Sequence, residues 1–264
     1  MINLDLRIKL SSFMQDIQPK PYVLLTRPQD DSDILCQILA TYDLNIQIEP
    51  LITINPIKNI SINFDQIQAL IFTSKNAIKA FASLYSERHI PIFVVGEGSS
   101  NIAQSYNFTQ IICGSNNALS LVPLLETLDY RNGKLLYLAG EMVAHDLITP
   151  LKLKKFEIEK IILYQALPLQ ELTPQTTMMI QSNFIHYIVF FSPRTAFIFV
   201  NLIKNDYKLV QACKNIFALC LSPEISKEID LFSWKKILIA SEANQNSLLS
   251  LFKLFDIKLN PNCN

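Results

Sequence analysis

The segment Ile161–Leu167, "IILYQAL", sets one phenol in an apolar extended run. On a strand that looks into a ligand space, Tyr164 could donate a proton or hydrogen-bond a leaving hydroxyl. It could equally be a core residue with a polar tip, and spacing alone does not separate the two. Other polar residues follow apolar strands at the starts of helices. "IFTSKNAIKAF" (Ile71–Phe81) offers Thr73, Ser74, Lys75 and Asn76, and "IVFFSPRTAFIF" (Ile188–Phe199) offers Ser192 and Arg194. "VLLTRPQ" holds Arg27 at a turn set by Pro28, "FVVGEGSSNIA" supplies Gly96 and Ser99, "CGSNN" supplies Asn116, and "LCLSPEIS" supplies Ser222. Hydroxyls, amides and free helix-start N–H groups make such strand ends rich in donors and poor in strong acids and bases, which suits phosphate or carboxylate. Each also has a structural reading. Ser74, Ser99, Asn116 and Ser192 are of the types that cap helices, and Arg27 can pair with Asp30 or Asp31.

Several chemistries lack support. "GEGSSN" at Gly96–Asn101 has no third glycine and no acidic residue at the end of the next strand, so a dinucleotide site is not expected. No glycine loop is followed by G-K-[ST], and H-E-x-x-H and G-x-S-x-G are absent. His89, His145 and His186 match no zinc spacing. The five cysteines include no C-x-x-C and sit mostly in apolar stretches, which fits buried thiols in a reducing compartment. Lys+Arg and Asp+Glu both number 23, so net charge points to neither nucleic acid nor an anionic membrane. The N-terminal stretch lacks the apolar core of a signal peptide. Tyr187–Ile203 is interrupted by Pro193 and Arg194 and is a poor membrane span. A cytoplasmic protein is expected.

These residues must be held by strands and helices in alternation. Apolar strands precede helical patterns near Asp31–Tyr42, Asn76–Tyr85, Ser99–Tyr106, Ala118–Leu128, Val143–Leu153, Thr195–Ile203, Glu224–Ile229 and Ser247–Phe255. Short, unbroken apolar strands of this kind imply parallel sheets covered by helices on both faces, an α/β fold. About ten strands are better placed in two sheets than in one. The sequence also repeats. The two strand–hydroxyl–helix junctions correspond, "FVVGEGSSNIA" resembles "FALCLSPEISKEI" with Gly96 against Ser222, and "CGSNNALSLVPLL" resembles "ASEANQNSLLSLF". The unit "KLLYLAGEMVAHDLITPLKLKKFEIEKIILY" has its counterpart at the other end of the chain, in "YVLLTRPQDDSDILCQILATYDLNIQIEPL".

A permuted repeat of this kind predicts two similar three-layer, parallel-sheet domains, one of them discontinuous. The expected division is 21–49 plus 168–264 for the discontinuous domain and 54–160 for the inserted one, with 46–54 and 159–168 as a two-stranded connector and 1–20 as an N-terminal extension. Ligands of open α/β sheets sit beyond the carboxyl ends of the strands, so the expected site faces the space between the domains.

In order and spacing, "VLLTRPQDDS", "IFTSKNAIKAF", "FVVGEGSSNIA", "GKLLYLAGE", "EKIILYQAL", "VFFSPRTAF" and "LCLSPEIS" together resemble the uroporphyrinogen-III synthase family from Tyr22 to Phe255. The resemblance implies two α/β domains joined by a two-stranded connector. It implies cyclisation of hydroxymethylbilane, a linear tetrapyrrole rich in carboxylates, by a monomeric lyase without metal or organic cofactor. The terminal hydroxyl leaves, the azafulvene is attacked at the substituted carbon of ring D, and a spirocyclic intermediate recloses with ring D inverted. The family's mechanistic tyrosine falls on Tyr164, its ligand-facing Thr-Ser pair on Thr73 and Ser74, and its hydroxyl after the third motif's glycine on Ser99. Transient contact with the upstream deaminase that makes the unstable substrate follows from the same resemblance. The chain departs from the pattern at "SPEI", where Ser222 replaces a glycine and Ile225 takes a hydroxyl position with Ser226 beside it, and at the 1–20 extension. Two rival readings remain: an anion-binding or sensor module without chemistry, and a transferase using an activated phosphate or sugar.

Overall fold

The computed structural model describes residues 20–115, 117–255 and 257. The 1–20 extension therefore lies outside the described residues except for Lys20, and Asn116 lies outside them entirely. The chain divides into two compact units, one taking in the residues up to Thr53 and from Pro168 on, the other Ile54–Leu167.

The first unit is built on β1 (Tyr22–Leu25), β2 (Asn45–Ile48), β9 (Ile185–Phe190), β10 (Phe217–Cys220) and β11 (Lys236–Ile239), in the order β11-β10-β9-β1-β2. All four pairings are parallel. Its helices are α1 (Gln29–Leu39), α6 (Pro174–Gln181), α7 (Pro193–Ile203), α8 (Tyr207–Ala212), α9 (Pro223–Ile229) and α10 (Gln245–Ser250), the last continued by a 3-10 turn at Leu251–Phe255.

The second sheet contains β3 (Ile52–Pro56), β4 (Ile67–Phe72), β5 (Ile92–Val95), β6 (Ile111–Gly114), β7 (Lys134–Gly140) and β8 (Ile158–Pro168), in the order β6-β5-β4-β7-β8-β3. Strands β4 to β8 pair in parallel. Its helices are α2 (Lys75–Leu84), α3 (Glu97–Ser105), α4 (Val122–Leu125), entered through a 3-10 turn at Ala118–Leu121, and α5 (Ile148–Leu153).

The permuted repeat is visible in the strand orders. Reading β11-β10-β9-β1-β2 against β6-β5-β4-β7-β8 superposes each repeated segment on its partner, and β3 is the addition at one edge. Strand alternation covers both faces of the second sheet. Leu70 and Phe72 of β4 pack with Ala77, Ile78 and Phe81 of α2 and Ala103 of α3. Their neighbours Ala69 and Ile71 pack the opposite way, against Leu121, Leu125, Leu147 and Leu151. Each fully buried Leu, Ile or Phe among them contributes ~1.5–3 kcal/mol. In the first sheet, Val23, Leu25, Tyr187 and Val189 share a face with Leu35 and Leu39 of α1 and Leu248 of α10.

Some boundaries differ from expectation for local reasons. The helix expected over Val143–Leu153 starts only at Ile148, because the Asp146 carboxylate accepts from the backbone N–H groups of Ile148 (2.9 Å) and Thr149 (3.1 Å) and so caps the first turn there. Residues 141–147 are left as a loop. The helix expected over Ala118–Leu128 is a 3-10 turn followed by one α-turn. The extended stretch Ile46–Ile54 is broken at Glu49–Leu51, so its halves join different sheets. Helices α6 and α8 were not expected from periodicity. Both are short and begin at side-chain caps, Thr173 and Asp206.

Candidate active site

At the carboxyl end of β4 the chain turns into α2 through two hydroxyls. Ser74 adopts an extended φ of −147° and its Oγ accepts from Asn76 N at 3.2 Å, the N-cap geometry that ends the strand and opens the helix. Thr73 Oγ1 lies 2.9 Å from the phenolic oxygen of Tyr137 on β7. Tyr164 of β8 donates its phenol proton to Ser74 Oγ at 3.1 Å. Adjacent strands thus bring one tyrosine to each hydroxyl of the Thr73–Ser74 pair.

Tyr164 is 8% exposed and stands opposite Gly140, where the β7–β8 register shifts. Its ring lies over the Gly140 α-carbon. A Cβ at that position would sit 2.6 Å from the ring Cζ. Burial pushes the Tyr137 phenol above its ordinary pKa. The hydrogen bond with Thr73 opposes that, and the neighbouring Tyr164 adds to it. Tyr137 therefore stays protonated and able to donate.

These groups line a cavity of about 230 Å³ in this unit. Thr73, Ser74, Tyr137, Gly140 and Tyr164 form one part of it. Val95, Asn117 and Ala118 lie along another, and the 141–147 loop contributes Met142, Val143, Ala144 and His145. Met142 is 75% exposed, so the loop presents an apolar side chain at the rim. Chemically, the cavity offers hydroxyl and phenol donors beside apolar surface, with one imidazole and no carboxylate among its lining residues. Among the described residues, no three His, Cys, Asp or Glu side chains come together as metal ligands.

Of the residues singled out in the sequence, this cavity unites Thr73, Ser74 and Tyr164. Gly96 is the N-cap of α3 with a φ of +76°, a conformation that requires glycine. Ser99 is not a cap. It lies within the first turn of α3, is buried, and its N–H bonds to Gly96 O at 3.0 Å. The first side chain of α2, Lys75, runs its stem beside Gly98. Asn117 caps the 3-10 turn, accepting from Ser120 N at 3.2 Å.

In the other unit, Ser192 repeats the Ser74 junction closely, with φ −148° and its Oγ accepting from Thr195 N at 3.2 Å. Ser222 differs from its counterpart Gly96. Its φ is −149°, it makes no side-chain cap hydrogen bond, and its hydroxyl holds the Glu224 carboxyl below its ordinary pKa. Ile225 is buried in the core, and Ser226 turns back to bond Pro223 O at 2.8 Å. Arg27 forms the ion pair with Asp31 at 2.8 Å, reaches Gln245 Oε1 at 3.4 Å, and lies 4.4 Å over the Phe191 ring. Arg194 is exposed on a separate groove with Gln170 and Phe197.

Tyr137 and His145 are cavity residues that sequence reasoning missed. Tyr137 reads as plain core within "KLLYLAG". His145 sits in a stretch that reads as helix.

Two α/β units related by a permuted repeat, one holding a cavity of paired tyrosines and hydroxyls at its strand ends, define a two-unit α/β protein with a donor-lined site. The chain belongs to the uroporphyrinogen-III synthase HemD family, whose model matches residues 37–250. No curated protein sequence matches it. Among solved structures, it is similar to uroporphyrinogen-III synthetase from Helicobacter pylori 26695, with a TM-score of 0.59 and 17% identity, covering 89% of this chain and 99% of that one. A mutant uroporphyrinogen III synthase from the extremely thermophilic bacterium Thermus thermophilus matches with a TM-score of 0.47 and 12% identity, over 89% of this chain and 98% of that one.

Proposed function

We propose that this chain cyclises hydroxymethylbilane to uroporphyrinogen III as a cofactor-free carbon–oxygen lyase, inverting ring D through a spirocyclic intermediate. The observation that carries the mechanism is the Tyr164 phenol hydrogen-bonded to Ser74 in a cavity that contains no strong base. The reaction asks for little more. The pyrrole nitrogen pushes electrons toward the departing hydroxyl, and a weak acid suffices to assist it. Tyr164 is the source of that proton, and Thr73 and Ser74 contact the substrate beside it. Lys75, Gly96, Ser99 and Asn116 in this unit, and Arg27, Ser192, Arg194 and Ser222 in the other, are assigned to binding the substrate's carboxylates and backbone. The remaining work is positioning: the linear chain must be folded so that ring D attacks through its hindered carbon.

The same reading makes the protein a cytoplasmic monomer that meets the upstream deaminase transiently. Its cytoplasmic part is supported by the free thiols of Cys36, Cys113, Cys213 and Cys220. Among the described residues no helix is long and apolar enough to cross a membrane.

The test is a coupled assay. Porphobilinogen and a hydroxymethylbilane-forming deaminase are incubated with and without the protein, and the oxidised uroporphyrins are separated by isomer. Type III isomer formed only in its presence is the expected result. Type I in both reactions, from folded protein, would overturn the proposal in favour of an anion-binding module without catalysis.

A further inference from the structure

Ser74 Oγ is the meeting point of two donors. The backbone N–H of Asn76 reaches it at 3.2 Å, and the Tyr164 phenol donates to it at 3.1 Å. A serine oxygen has two lone pairs and one proton. Both lone pairs are taken, so the unused capacity of this group is its own O–H. Among the described residues, the bonds made by Ser74 Oγ are these two acceptances. Ser74 and Tyr164 both line the cavity, and the Tyr164 proton is already directed at Ser74. A ligand in the cavity therefore meets the serine hydroxyl as a donor, while the phenol proton is already held by Ser74.

We propose that Ser74 hands the proton to the departing hydroxyl, and that Tyr164 acts through Ser74 rather than directly. This rests on the cyclisation reading above and specifies the proton's route. The C–O bond of the hydroxymethyl group breaks as its oxygen takes the Ser74 proton and leaves as water. In the same movement, Ser74 Oγ takes the Tyr164 proton. The pyrrole nitrogen lone pair closes the new double bond of the azafulvenium, and its N–H proton returns by the same route, to Ser74 Oγ as the Ser74 proton passes back to the phenolate and restores Tyr164. One water is released and no net proton is consumed. The Asn76 N–H supports the transfer by stabilising negative charge that builds on Ser74 Oγ, and hydrogen bonds linked in a chain reinforce one another. Tyr164 is then a positioning and proton-supplying residue, and Ser74 the catalytic one.

The experiment compares wild type, Ser74→Ala, Tyr164→Phe and the double variant in the isomer-resolved assay, with melting curves as a check on folding. A relay predicts that each single variant lowers kcat by about 100-fold with KM within about twofold. The double variant should be no slower than the slower single one, because both act on one transfer. Ser74→Thr should restore most of the rate. In mixed H₂O/D₂O, the wild-type rate should bow with deuterium fraction, as two moving protons require, and become linear in Ser74→Ala.

If Ser74→Ala folds poorly through loss of its cap, Ser74→Gly, which keeps most of the capping, takes its place. Near-wild-type turnover in Ser74→Ala or Ser74→Gly, with Tyr164→Phe slow, would overturn the relay in favour of direct donation by the phenol. Losses that multiply in the double variant would also overturn it. Wild-type protein that forms only type I isomer would bring down the cyclase reading itself, and that failure is seen before any variant is made.

Discussion

The Tyr164 ring occupies the space that a side chain on Gly140 would need. A Cβ at 140 would lie 2.6 Å from Cζ, 2.8 Å from the phenolic oxygen and 2.9 Å from Cε2. The two residues are register partners across β7 and β8, so the glycine sets the distance from which the phenol reaches Ser74.

Gly140→Ala should therefore act as a lesion in Tyr164. Rotating the ring out of the way breaks its hydrogen bond to Ser74, and turnover should fall by about tenfold or more. Overpacking should cost about 1–3 kcal/mol of stability. Adding Tyr164→Phe to Gly140→Ala should cost little further rate, since the phenol has already been misplaced. Full activity in Gly140→Ala would show that the close approach has no role in catalysis.

The junctions that carry the site were readable in the sequence because each is local. An apolar run, a short hydroxyl and a helix-forming stretch place Ser74 and Ser192 as N-caps within a few residues of chain. The parallel α/β architecture was readable for the same reason, and the strand orders follow the permuted repeat. What was not readable depends on distant partners or on single caps. The Tyr164–Ser74 bond joins residues 90 apart in sequence. Tyr137 obeys strand alternation, and only the neighbouring Thr73 turns it into a site residue. Asp146 shortens a helix and leaves a loop that adds His145 to the cavity. For Arg27 the pairing offered by nearby carboxylates was readable, since its guanidinium meets Asp31 four residues on.

Glu49 is a buried carboxylate, 1% exposed, in the segment between β2 and β3. It accepts from Thr173 N at 3.0 Å and Thr173 Oγ1 at 2.6 Å, and also from the Thr176 hydroxyl. All these donors belong to the start of α6, so the carboxylate ties that helix to the chain leaving β2. Glu49→Gln keeps the shape but turns an amide N–H toward donors. It should cost about 1–3 kcal/mol in denaturant unfolding. An unfolding curve that superposes on wild type would mean that the two hydroxyls reorient without loss.

Burial pushes the thiols of Cys213 and Cys220 from about 9 up to about 12. Folding thus favours the neutral form. The associated stability is fully present below the unfolded-state value near 9 and is lost as pH rises from there toward 12. Each thiol should cost of order 1 kcal/mol by about pH 10. The melting temperature should drop between about pH 8 and about pH 10.5, and less steeply in Cys213→Ala/Cys220→Ala. Equal slopes for the two proteins would show that other groups set the alkaline limit.

Arg27 combines an ion pair to Asp31, a contact with Gln245 and stacking over Phe191. A planar fork can do all three together, and an ammonium cannot. If this cation holds a substrate carboxylate, Arg27→Ala should raise KM by about tenfold or more, and Arg27→Lys should fall between it and wild type because charge survives without the fork geometry. The stability cost should stay modest, about 1–2 kcal/mol for one part-buried ion pair and the stack on Phe191. The ratio of the two effects decides the role. A large KM change on an almost unchanged melting temperature assigns Arg27 to the substrate. A lowered melting temperature with unchanged KM would make the Asp31 pair and the Phe191 stack its whole purpose, and the carboxylates would have to be met by other donors.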